Sequence, residues 1–219
     1  MKIIDLSLPI EEGMMTFPTH WHPVVEITIL GRHGIEGRET RKLVLGTHIG
    51  THADAPRHFI PNGATIDEVP LEVLIGPATV ADFTGCRPLQ EIDVAGLKEK
   101  LGGEVPQRLI LRTGWSEYFG QMKFYNEYPF LSEAATQWLL ENGVRLIAMD
   151  TPSPDHPAHS RGTAKDSPNH KVLLGAGVVL VEYLANLKAI SAAEVQLIVM
   201  PLKLKGCDGS PARCAVIEP

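Results

Sequence analysis

Three of the nine histidines in this 219-residue chain fall with an aspartate in one short segment, "GTHIGTHADAPRHF" (residues 46–59): His48, His52, Asp54 and His58. Imidazole and carboxylate are ligands for Zn²⁺, and also for Mn²⁺ or Fe²⁺. Three protein ligands leave a coordination position for water, and a bound divalent ion lowers the pKa of that water toward neutrality. His58 is then placed to accept or donate protons near neutral pH. The alternative is three solvated histidines grouped by chance. The glycines, the proline and the third histidine of the cluster weigh against it.

Geometry restricts how such a segment could gather its ligands. On a flat strand the even-numbered residues share a face, but His48 and His52 would stand roughly 13 Å apart at ~3.3 Å per residue. A helix brings i and i+4 together, yet Gly46, Gly50 and Pro56 oppose a continuous helix. What remains is a strand, "RKLVL", running into a bent loop in which Gly50 permits the bend.

The elements around it read as a mixed α/β chain, rich in strands and poor in helices. Short β-branched runs recur: "KIIDL", "VVEITIL", "RKLVL", "ATVADF", "RLILRT", "VRLIAM", "VQLIVMPLKL" and "RCAVIE". Helices are expected over 93–101, ending at Gly102, and over 132–142, with Ser132 as N-cap and a stop at Gly143. A third is expected to start near Thr65 or Asp67 and run past Pro70. Residues 172–187 fit either a buried helix or a buried strand. "CDGSPARC" reads as a turn between two strands. The polar, proline-rich stretch 151–171 is long enough to suggest a functional loop.

Bulk properties narrow the partners. The length suits one domain over residues 1–219. The net charge of −6 comes without a long basic run, which argues against nucleic acid and anionic lipid. The N-terminus is too poor in apolar residues for a signal peptide, and "VLLGAGVVLVEYLANL" is broken by Glu182 and too short for a bilayer span. Cys86, Cys207 and Cys214 lack CxxC spacing, as expected for reduced thiols in the cytoplasm. "GAGVVL" lacks the GxGxxG spacing of a nucleotide loop, and there is no GxSxG elbow.

"HIGTHADAPRHF" resembles the HxGTHxDxPxHF signature of the metal-dependent cyclase/formamidase family, which includes bacterial kynurenine formamidases and isatin hydrolases. "LILRTGW" (109–115), "MDTPSPD" (149–155) and "PLKLKGCDGSPAR" (201–213) resemble the family's later blocks in the same order, so the likeness spans nearly the whole chain. The resemblance implies a swivelling β/β/α fold, a dimer or tetramer, and metal-dependent attack of water on a C–N bond. It implies one ion on His48, His52 and Asp54. Asp54 would bridge to a second ion, completed by His170 and Glu182, with His58 as general acid/base. Zn²⁺ leads Mn²⁺ as the metal.

Glu182 has independent support as the one charged residue in the apolar run from Val172 to Leu184, where a carboxylate needs a partner, either a metal or a basic side chain. His170 closes the polar loop just before that run; His156 and His159 are its rivals. Where the formamidase branch tends to pair histidines, this chain has Asn169 before His170. Phe17 and Trp21 in "MMTFPTHWHP" offer aromatic surface for a planar ligand or, equally, for packing. Trp115 is expected to pack.

The first functional expectation is hydrolysis of an aryl formamide of the N-formylkynurenine kind. Opening of a cyclic amide or lactone comes next. A lyase or cyclase that consumes no water and a non-catalytic metal-binding protein complete the set.

Overall fold

The computed structural model describes residues 1–218. Its strands are β1 (Lys2–Asp5), β2 (Glu26–Gly31), β3 (Thr40–Val44), β4 (His52–Asp54), β5 (Ile75–Asp82), β6 (Glu91–Ile92), β7 (Arg108–Arg112), β8 (Phe130–Leu131), β9 (Leu146–Met149), β10 (Val179–Glu182), β11 (Glu194–Pro201) and β12 (Gly209–Glu218). The helices are α1 (His33–Glu36), α2 (Leu71–Leu74), α3 (Val94–Leu101), α4 (Met122–Asn126), α5 (Glu133–Glu141) and α6 (Pro168–Gly175).

Seven strands close on themselves in the order β12-β11-β5-β7-β9-β10-β4, with β4 pairing back onto the start of β12. β5, β7, β9 and β10 are parallel neighbours, and the other pairings are antiparallel. β1 extends the ring along the far end of β12. Parallel neighbours need long crossovers, and these carry α3, α5 and α6. The expected mixed α/β, strand-rich class is what the chain adopts.

Two-residue alternation sorts the barrel's side chains. Ala53, Ala78, Val80, Ile110, Leu146, Ala148, Val179, Val181, Leu197, Cys214 and Val216 fill the interior. Ala81, Leu109, Leu111, Ile147, Met149 and Leu180 face outward, beneath Leu97, Leu139 and Leu173 of the three helices. Because Ala53 points inward, His52 and Asp54 on either side of it point out, on the same face as Leu180 and Glu182. The strand parity of β4 and β10 thus puts three polar residues together on the outer wall.

Two sequence readings hold closely. The helix expected over 93–101 is α3, ending at Gly102, and the one expected over 132–142 is α5, where Ser132 caps by accepting from Ala135 N at 2.9 Å; Asp93 caps α3 in the same way, accepting from Gly96 N at 2.8 Å. Trp115 packs as expected, buried with its Nε1 donating to Phe124 O.

Others are corrected. The expected third helix is divided at Pro70, whose missing N–H interrupts the hydrogen bonds, into a 3₁₀ turn, Ile66–Glu68, capped by the Thr65/Glu68 box, and the single turn of α2. Residues 172–187 are helix and strand in succession, α6 ending before Gly177 and β10 following. "CDGSPARC" is not an interstrand turn: the chain turns over 202–208, and β12 begins at Gly209, with Pro211 in its first half. β2 and β3 pair only with each other, as a hairpin outside the barrel.

Candidate metal centre

β4 is three residues long yet central to the site. On one side it pairs with β10, setting Glu182 directly opposite His52, and on the other with β12, setting Gly209 opposite Asp54. A Cβ at Gly209 would stand 2.8 Å from Ala53 O and 2.9 Å from His48 Cε1, so only glycine allows this strand to lie so close. His48 comes from the loop before β4, turned back by Gly50 at φ 55°, and its ring centroid lies 5.0 Å from that of His52. This is the bend the sequence required.

His58 follows on the 3₁₀ turn Pro56–His58, its ring stacked 3.8 Å from His48. His170 arrives on the first turn of α6. β10 stops just after Glu182 because Tyr183 takes a left-handed conformation (φ 57°), rare for a bulky residue. The Thr51 hydroxyl donates to Tyr183 O at 2.6 Å and holds that bend, leaving the Tyr183 ring against His52.

The four other proposed ligands gather around Asp54. Its Oδ1 lies 2.7 Å from His48 Nδ1 and 3.3 Å from His52 Nε2, and its Oδ2 lies 3.7 Å from His170 Nε2. Glu182 reaches His52 Nε2 with Oε2 at 3.5 Å and His170 Nε2 with Oε1 at 3.1 Å. Among the described residues no lysine or arginine pairs with Glu182, so a basic partner is not what satisfies it. Two sets of ligand atoms lie within 4.8 Å of one another, His48–Asp54–His58 and His52–Asp54–Glu182. Asp54 belongs to both.

Asp54 Oδ2 and Glu182 Oε1 are buried and make no hydrogen bond. Leaving such a group unsatisfied costs about 1–3 kcal/mol, more when it is charged. Two orphaned carboxylate oxygens among nitrogen donors fit a divalent cation, which would supply the missing partner.

The charges of the metal-free cluster are set by the same crowding. Burial works against a charged His52, but Asp54 and Glu182 overcome it and raise its pKa to about 10. Burial likewise opposes a charged His170, and the surrounding carboxylates of Asp155, Asp54 and Glu182 carry its pKa well above the imidazole range. Burial would raise Asp54, yet the surrounding imidazoles hold it well below the carboxylate range. His58 is lowered, chiefly by burial, with the charges of His48 and His170 adding to the effect.

Two acids escaped sequence reasoning. Asp155 Oδ2 lies 2.6 Å from His170 Nδ1, and its carboxylate also accepts from the backbone of Asn169 and His170. Asp208 Oδ2 lies 2.8 Å from His48 Nε2 and 3.2 Å from His58 Nδ1. Asp155 lies in "MDTPSPD", a polar loop without a metal-ligand spacing, and Asp208 in a "DG" pair, which reads as turn chemistry.

Asn169 is turned away from the cluster: its side chain donates to Leu131 O and Pro154 O and pins the polar loop. His156 and His159 lie apart from the site, stacked on each other with His156 against Phe130. Phe17 packs edge-on against Tyr125, and its neighbour His22 faces His48 at 6.4 Å. Trp21 is half-exposed, with the Arg161 guanidinium over its ring. Solvent reaches the cluster over His58 and Asp208, whose side chains are 26% and 35% exposed.

A closed mixed barrel bearing a buried imidazole–carboxylate cluster on its outer wall, open to solvent beside one more histidine, is built for metal-assisted chemistry. Residues 4–156 match the putative cyclase family, and the chain belongs to that family. It is 31% identical to a kynurenine formamidase of Bacillus cytotoxicus, over 99% of this chain and 97% of that one. It is 32% identical to a kynurenine formamidase of Paracidovorax citrulli, over 98% and 96%. Among solved structures it resembles isatin hydrolase A from Labrenzia aggregata, with TM-score 0.87 and 26% identity over 98% and 93%. An isatin hydrolase bound to the product analogue thioisatinate gives TM-score 0.88 and 25% identity over 100% and 92%.

Raised imidazole pKa values mean that a metal must displace protons to bind at neutral pH. Titrating Zn²⁺ into the metal-free protein at pH 7.5 is expected to release about two to three protons per active site, from His52 and His170 and in part from His48, whose pKa Asp54 and Asp208 also raise against burial. Calorimetry in buffers of different ionisation enthalpy reads this number directly. A heat that does not depend on the buffer would contradict the charge assignment.

Proposed function

We propose that this protein is a metal-dependent amide hydrolase whose substrate is an aryl formamide of the N-formylkynurenine kind. The observation that carries the reading is the pair of buried, hydrogen-bond-free carboxylate oxygens of Asp54 and Glu182, set among histidine nitrogens. His48, His52 and Asp54 would hold one ion, and Asp54, His170 and Glu182 a second, as the two faces of the Asp54 carboxylate suggest. The ions, Zn²⁺ before Mn²⁺, would polarise the formyl carbonyl and acidify the attacking water.

The chain's own side chains do the rest. His58, at the solvent mouth, takes a proton from the water that adds to the carbonyl. It returns the proton to the departing nitrogen as the C–N bond breaks, so that formate and an aryl amine leave. Phe17 and Trp21, with His22 between Trp21 and the cluster, are suited to hold the ring of a planar substrate. The swivelling β/β/α description and a cytoplasmic location belong to the same reading. No described helix is long and apolar enough to cross a membrane.

A second substrate class is favoured by the solved isatin hydrolases that this chain resembles: a cyclic amide, opened by the same attack without loss of a fragment. Incubation with N-formylkynurenine is expected to yield free formate in step with the amine, and His58→Ala to lower kcat by about 10²–10⁴-fold while the protein keeps its metal. Ring opening of isatin with no formate from any formamide would reject the formamide reading. Turnover without ¹⁸O uptake from labelled water would replace both with a lyase.

The same proposal includes a homodimer. The β2–β3 hairpin has almost no buried residue, and it exposes Ile29, Leu30, Ile35 and Leu43. A lone two-stranded ribbon is marginal in water and gains from a cover, and a second copy of the chain would supply one. Light scattering is expected to give twice the chain mass of 23.9 kDa, and Leu30→Asp with Leu43→Asp to give the monomer. A wild-type monomer would sink this part.

A further inference from the structure

We infer that Asp208 is a positioning residue that assigns the working nitrogen of two histidines at once. The part of the inference that concerns catalysis rests on the hydrolase reading above; the part that concerns hydrogen positions does not.

A neutral imidazole has one N–H and one lone pair, and an ionised carboxylate only accepts. Once the extra protons of the cluster are displaced and its imidazoles are neutral, the nitrogen that faces an acceptor away from the ion keeps the N–H and the other carries the lone pair. His52 Nδ1 donates to Gly50 O at 2.8 Å, leaving Nε2 for Asp54 and Glu182. His170 Nδ1 donates to Asp155 at 2.6 Å, again leaving Nε2 for the cluster. Asp208 does this twice with one oxygen. His48 lies between two carboxylates, with Nε2 2.8 Å from Asp208 Oδ2 and Nδ1 2.7 Å from Asp54 Oδ1; with an ion held on the Asp54 side, the N–H of a neutral His48 would go to Asp208 and its lone pair to Nδ1. His58 Nδ1 donates to the same Asp208 oxygen at 3.2 Å, so the lone pair of His58 lies on Nε2, the atom free to take a proton.

The carboxylate is itself held for this task. Asp208 O accepts from Ala55 N at 2.9 Å, and Cys207 O beside it accepts from Ile66 N at 2.9 Å. Gly209 adds no side chain between Asp208 and His48. The residue therefore sits at the strand start where β12, the His48 loop and the turn carrying His58 meet, and it ties the order of β4 to the proton-moving group. The other tautomer of either ring would offer an N–H where a lone pair is needed, and the Asp208 contacts disfavour it in both rings.

The test uses the zinc-loaded protein labelled with ¹⁵N-histidine and long-range ¹H–¹⁵N correlation spectra, with His58→Gln assigning the His58 signals. The wild type is expected to show His58 protonated at Nδ1 and bare at Nε2. Asp208→Asn is expected to mix the tautomers and to lower kcat on an aryl formamide by about 10- to 100-fold, with KM within about twofold. Asp208→Glu is expected to restore the wild-type tautomer and part of the rate. His58 protonated at Nε2 in the wild type would overturn the inference, and so would full kcat in a folded, metal-loaded Asp208→Asn. A wild type that hydrolyses no formamide would refute the hydrolase reading alone, because the spectra read the tautomer without substrate.

Discussion

The structure depends on one carboxylate placed where water cannot satisfy it. Asp54 is fully buried on the outer wall of the barrel, with one oxygen turned to His48 and His52 and the other turned to His170 with no hydrogen bond. An isolated charge in that position would be ruinous to stability. The four imidazoles around it, two of them themselves oriented by Asp208 and one by Asp155, are the compensation. A divalent cation held by this carboxylate would complete it in chemical terms. Each surrounding feature answers to this constraint: the bend at Gly50, the bare Gly209, the left-handed Tyr183 and the anchored polar loop.

Barrel closure explains why the cluster can be assembled from such distant parts of the chain. His52 and Glu182 are 130 positions apart in sequence, yet they face each other because β4 wedges between β10 and β12. The apolar interior, packed from all seven strands, fixes the spacing of those strands. Helices α3, α5 and α6 cover the outer wall and bring His170 over Glu182. The result is a rigid floor of paired strands and a mouth lined by residues from a turn and a loop, His58 and Asp208. That division suits chemistry in which ligands must stay still while substrate comes and goes.

Much of this was legible before any fold was known, for reasons that particular residues make plain. The cluster His48, His52, Asp54, His58 declared itself by residue type and spacing, and its bend by Gly50. Glu182 stood out as a lone charge in an apolar run, and the structure leaves it without a basic partner. The helices α3 and α5 are legible because their ends are local, at Gly102 for one and at Ser132 and Gly143 for the other. The parts that were not legible depend on long-range pairing. Asp208 looked like turn chemistry because "DG" usually is; only the pairing of β12 with β4 reveals that the aspartate reaches two histidines. The strained Tyr183 has no sequence signature, since its conformation is imposed by the backbone of 149–151 and by Thr51. The helix expected past Pro70 is interrupted because proline has no N–H with which to continue it.

The central claim is that the two faces of Asp54 serve two ions. Anomalous scattering at the zinc edge, from crystals of the zinc-loaded protein, tests it most directly. The account predicts two peaks flanking the Asp54 carboxylate, one beside His48 and His52 and the other beside His170 and Glu182. A single peak, or none within reach of Asp54, would contradict it.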